Sequence, residues 1–170
     1  MIDHLPERLD LLATADAGRV LQGRLPLASM ERVVPLLSSS AGTLQVSLEL
    51  GKDPDGTRYL AGTVHGTVEL QCQRCLEPFE LLLDLAFRLG IVRDTEAAAR
   101  LHARYEPLVV GAEPVRIADI VADEVLLALP LVPAHVEDAQ CNEFVKAYRP
   151  PEHDLRDSPF AVLAGLKQKQ

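Results

Sequence analysis

From Thr43 to Ile91 apolar and polar residues alternate with a period of two through three successive runs, and this regularity limits the possible folds more than any other feature of the chain. Leu44, Val46, Leu48 and Leu50 alternate with Gln45, Ser47 and Glu49. Side chains of a strand point to opposite faces in turn, so such a run predicts a strand with one buried face. Pro54, Asp55 and Gly56 then form a turn signal. The second run places Leu60, Gly62, Val64, Gly66, Val68, Leu70 and Cys72 on one side; the third does so with Phe79, Leu81, Leu83, Leu85, Phe87, Leu89 and Ile91. The three predict an antiparallel meander, with the sequence CQRC (Cys72 to Cys75) at the tip of its second hairpin.

Around the meander the signals change period. The run "RIADIVADEVLLAL" places Ile117, Ile120, Val121 and Leu127 together on a helical face, sets Asp119 and Asp123 away from it, and stops at Pro130. "VLQGRLPL" suits another strand, "SMERVVPLL" a short helix capped by Ser29 and interrupted at Pro35, "TEAAAR" a short helical or loop segment, and "YEPLVV" a return to the sheet. The expected class is α+β: a β-meander packed against one main helix over residues 1–141. Residues 142–157, with a Pro-Pro pair and mixed charge, read as a flexible linker. Residues 158–170 read as a short helical motif with Ser158 as cap, Pro159 in its first turn and Phe160, Leu163 and Leu166 near one side. So short a helix is marginal by itself and must dock, either on its own domain or on a partner, which makes these three residues candidate partner-binding positions.

Charge narrows the function. The formal net charge is −8, and residues 117–157 hold nine acids against three bases, a local balance of −6. Affinity for nucleic acid rests largely on Lys and Arg neutralising phosphates, so broad duplex binding is disfavoured and a basic protein partner suits the acidic segment better. No apolar run approaches the roughly 20 residues that span a bilayer, and the N-terminal stretch lacks the basic start and apolar run of a signal peptide. A cytoplasmic protein is expected, with neither membrane nor DNA among its partners.

In a reducing compartment three cysteines do not make a disulfide framework. Two thiolates at a hairpin tip have the spacing of a zinc knuckle whose other ligands arrive from elsewhere, and Cys141 and His135 are the candidates; His65, on the polar side of its strand, is a weaker fourth ligand. Packing without metal and redox chemistry are the other readings of the same cysteines. Arg74, inside the tip, is placed to meet a phosphate or a carboxylate. The sequence holds no Gly-rich phosphate loop, nucleophile elbow or H-E-x-x-H helix, so an enzyme is not expected.

Four stretches, "VHGTVELQCQRCLEPFE", "YEPLVV", "IADIVADEVLLALPLVPAH" followed by Cys141, and the terminal "SPFAVLAGLKQKQ", together resemble the YceD family of bacterial proteins, in its proteobacterial form. The resemblance runs from about residue 58 to the end. It implies a non-enzymatic role in accumulation of 23S ribosomal RNA and so in biogenesis of the large ribosomal subunit. Cys72, Cys75 and Cys141 match family positions and His135 fills a Pro-x-His place, but members of other branches carry further cysteines after the helix where this chain has Cys141 alone. Two routes to such a role follow: binding a ribosomal or assembly protein, or direct contact with 23S rRNA or its precursor through Arg74, Arg88 and Arg93.

Overall fold

The computed structural model describes residues 5–137 and 140–147. Strands β2 (Val20–Pro26), β3 (Thr43–Lys52), β4 (Arg58–Gln71), β5 (Pro78–Val92) and β6 (Glu106–Val109) form one sheet in that spatial order. The predicted meander is there in register: Gln45 faces His65 and Lys52 faces Arg58 between β3 and β4, while Tyr59 faces Gly90 and Gln71 faces Pro78 between β4 and β5. The first hairpin closes through Asp53, whose carboxylate accepts from the Thr57 N–H at 2.8 Å, and through Gly56 at φ +81°, a conformation that side chains resist. At mid-sheet Phe87 lies across from Gly62; a Cβ on that glycine would come within 2.2 Å of the ring, so the missing side chain makes room for the aromatic.

The segment "YEPLVV" does return to the sheet, as β6, but parallel to β5. A parallel neighbour needs a crossover, which α2 (Thr95–Ala99) supplies, capped by the Asp94 carboxylate on the Ala97 N–H. A second small sheet pairs β1 (Arg8–Leu9) with β7 (Val115–Arg116) and leads into α3 (Ile117–Ala128). Helix α1 (Leu11–Asp16), capped by Asp10, adds Leu11 and Ala15 to the core; the signal for it was an Asp directly before the apolar "LLATA".

One face of the sheet is buried. Leu44, Val46, Leu48, Leu60, Val64 and Leu89 meet Ile117, Ile120, Val121 and Val125 of α3, together with Leu27, Met30 and Val33. Ile117, Ile120 and Val121 are thus inward, but Leu127 is not: it is 77% exposed. Leu127 follows Ile120 by seven residues, only about 20° round the helix, so its exposure reflects its place in the last turn of α3 and not its angle. Nor does "SMERVVPLL" form an α-helix. It makes two 3₁₀ turns, Leu27–Ser29 and Val34–Leu36, and the Ser29 hydroxyl donates to the Pro26 carbonyl at 2.6 Å instead of capping. Pro35 has no N–H to give and its ring obstructs the preceding turn, so the segment breaks into single turns that still bury Met30 and Val33.

Candidate metal centre

The long β4–β5 hairpin ends in a knuckle. The Cys72 N–H bonds the Glu77 carbonyl at 2.9 Å and the Leu76 N–H returns to the Cys72 carbonyl at 2.8 Å. To close this turn Leu76 takes φ +63°, the left-handed region usually left to glycine. The second wall comes from the chain after α3. Pro130 stops the helix, and Pro133 accepts the Gln73 N–H at 2.8 Å, so the 131–135 segment is laid along the knuckle. Arg74 donates to the His135 carbonyl, which fixes that loop from the other side.

Cys72, Cys75, His135 and Cys141 meet here, with ligand atoms all within 4.8 Å of one another. His135 Nδ1 lies 3.5 Å from Cys75 Sγ and 3.6 Å from Cys141 Sγ. The fit to a metal can be checked from bond lengths: Zn–S near 2.3 Å and Zn–N near 2.0–2.1 Å at a tetrahedral angle place S and N about 3.5–3.6 Å apart. The donor set is of the Cys₃His type that zinc takes in structural sites, and the four residues could hold one such ion.

The outer support is also in place. Asn142 donates to the Cys75 carbonyl at 3.0 Å and accepts from the Val145 N–H at 3.2 Å, thereby starting α4 (Glu143–Ala147). Val145, Ala134 and Phe79 pack on the three cysteines, and the Phe79 ring stands 5.1 Å from that of His135. Helix α4 occupies the first residues of the segment read as linker, because Asn142 caps it and Val145 has an apolar surface to rest on. Burial pushes the Cys72 thiol up, but the backbone N–H groups of Cys75, His135 and Arg74 more than offset that and bring it down to about 5. Burial and the adjoining Cys75 and Cys72 push the Cys141 thiol up to about 11. Thiolate is thus favoured at Cys72 and disfavoured at Cys141, a balance that a divalent cation shifts towards thiolate. A thiol oxidoreductase needs an accessible attacking sulfur, whereas Cys72 is 0% exposed.

The remaining candidates scatter. His65 pairs with Asp84 at 2.8 Å on the uncovered face of the sheet, away from the cysteines. Arg88 stacks on Tyr59 and Tyr105, 5.1 and 5.6 Å from their centroids, near the opposite end of β5. From the knuckle to Arg88 is roughly 33 Å of strand at ~3.3 Å per residue, so Arg74 does not join Arg88 and Arg93 in one basic patch. Phe160, Leu163 and Leu166 lie outside the described residues. What the sequence did not disclose is an apolar groove of about 800 Å³ beside the knuckle, lined by Pro35, Leu36, Leu126, Leu129, Leu131 and Val132. Of this lining Leu36, Leu131 and Val132 stand exposed.

Fold and site define a small α+β domain whose longest hairpin is tied at its tip, by three cysteines and a histidine, to the chain that follows its main helix. The chain belongs to the YceD family: the family's model, described as large ribosomal RNA subunit accumulation protein YceD, matches residues 60–167. A Haemophilus influenzae protein of that same name is 32% identical over 169 residues, 97% of each chain. No solved structure matches.

Proposed function

We propose that this protein is a non-enzymatic factor that promotes accumulation of 23S rRNA in biogenesis of the large ribosomal subunit, acting in the cytoplasm through a ribosomal or assembly protein. The observation that carries the reading is the end-to-end likeness to a relative whose name states that role. Two features favour a protein partner over direct RNA contact: the net charge of −8, and the exposed leucines and valines around the groove beside α3. Apolar surface of this kind suits a protein side chain in a pocket, not a phosphate. Arg74, Phe160, Leu163 and Leu166 remain our candidates for partner contact. Zinc held by Cys72, Cys75, His135 and Cys141 would act structurally, fixing the groove's rim to the hairpin tip. Among the described residues no helix is long and apolar enough to cross a membrane.

Affinity capture from cells, with and without nuclease, tests this reading. A ribosomal or assembly protein should be recovered in similar yield after nuclease treatment and at moderately raised salt. Recovery of RNA alone, lost steeply with salt, would show that the contact runs through phosphates.

A further inference from the structure

The two sides of the long hairpin are finished differently. On the β4 side the chain before β3 straps the tip, with the Ser38 N–H on the Glu69 carbonyl at 2.8 Å and a bridge from Ser39 to Glu69. On the β5 side β6 pairs only with Leu89 to Val92. From Pro78 to Arg88, about 33 Å of strand at ~3.3 Å per residue, no strand among the described residues lies along that outer edge. Every second residue of that stretch turns its N–H and C=O outward, which is a template for another strand.

The side chains beside this edge specify what would pair there. On the uncovered face β5 presents Glu80, Leu82, Asp84 and Ala86 in succession; Leu82 is 74% exposed. Glu69 stands directly across from Glu80, and among the described residues neither makes an ion pair, while Asp84 pairs with His65. A single charge is enough to deter edge-to-edge aggregation. Two carboxylates facing each other across a ladder cost the sheet stability, and no ion pair among the described residues compensates them.

We infer that the open edge of β5, from Pro78 to Arg88, is a β-augmentation site for an extended, lysine- or arginine-bearing segment of a partner protein. The added strand would place alternate basic residues beside Glu80 and Asp84 and cover Leu82 with its backbone or an apolar residue. Main-chain hydrogen bonds supply the affinity of such additions, and alternate side chains supply the specificity. The inference rests on the reading that the partner is a protein, and it names the chemistry of the contact.

The test uses the full-length ¹⁵N-labelled chain and a nine-residue peptide alternating lysine and valine, with a glutamate–valine peptide and a twelve-nucleotide RNA as comparisons. Expected are amide shifts from Phe79 to Arg88 with the lysine peptide, slowed exchange at alternate amides there, and weakening as salt rises. Glu80→Lys with Asp84→Lys should weaken that peptide at least tenfold. Glu69→Gln with Glu80→Gln should weaken it too while raising Tm, since the same change removes the repulsion; this variant guards against a mere folding defect. Equal binding of the glutamate peptide, shifts confined to the groove by α3, or binding by the RNA alone at this edge would overturn the inference. In capture from cells, an unchanged protein yield with Glu80→Lys and Asp84→Lys would sink the edge site while leaving the protein-partner reading intact. Recovery of no protein by the unaltered chain would remove that reading itself.

Discussion

Helix α3 carries two neighbouring positions with opposite surroundings, and we predict that shortening each will separate stability from function. Val125 is 0% exposed against the sheet, while Leu127, two residues on, is 77% exposed in the last turn of the helix. Val125→Ala deletes two buried carbons. At about 0.8 kcal/mol for each, plus a residual cavity, the cost is about 2 kcal/mol. For a chain of this size 1 kcal/mol moves Tm by about 2–4 °C, so the expected loss is about 4–8 °C. Leu127→Ala removes mostly solvated surface and should cost under about 0.5 kcal/mol, within what surface changes usually do. Urea and thermal unfolding of both variants, followed by circular dichroism, measure the first half. Partner recovery in affinity capture measures the second: it should fall for Leu127→Ala and be retained by Val125→Ala wherever that variant is folded. Equal losses of Tm would mean that the faces of α3 are assigned wrongly, and full partner recovery by Leu127→Ala would remove that leucine from the contact surface.

Protein purified without chelators should hold close to one zinc per chain by elemental analysis, and Cys141→Ser should hold well under one; metal-free wild-type protein would leave the cysteines as packing residues. Leu76→Gly should raise stability by about 0.5–1 kcal/mol in denaturant unfolding, because φ +63° strains leucine and not glycine; a loss would show that the leucine's own contacts matter more. For Asp53, burial pushes the carboxyl up, but the Thr57 N–H, Arg104 and the Tyr105 hydroxyl bring it below its usual 3.8. A depressed carboxylate contributes stability above its unfolded pKa and loses it as pH falls through the folded value, so the Tm deficit of Asp53→Asn should be largest near pH 7 and shrink as pH falls below the ordinary carboxylate range. Deleting residues 158–170 should leave Tm almost unchanged while reducing partner recovery and 23S rRNA accumulation; a fall of many degrees would place that segment in the core.

The strands were legible because a half-buried strand writes its two faces into alternate residues, and from Leu44 to Ile91 little interrupts that record. The position of Cys72 and Cys75 at a tip followed from the same alternation. What lays His135 and Cys141 beside them is the stop at Pro130 and the Pro133 carbonyl on the Gln73 N–H, contacts that no periodicity encodes. Leu127 was misplaced because it shares the side of buried Ile120 by angle, whereas burial also depends on what lies beside the last turn of the helix. The 3₁₀ turns around Met30 show the converse: side chains bury as a helix would bury them while Pro35 forbids the helix. The facing of Glu69 and Glu80 was available in principle, since a hairpin centred between Arg74 and Cys75 pairs them, but its meaning depends on β6 stopping at Leu89, which only the fold reveals.

The central claim is that this chain serves accumulation of large-subunit RNA, and the ratio of 23S to 16S rRNA in cells depleted of the protein tests it most directly. We predict that the ratio falls on depletion and recovers with the unaltered chain, but not with one carrying Leu127→Asp and Leu131→Asp, whose exposed positions spare the fold. A ratio unmoved by depletion would contradict the account.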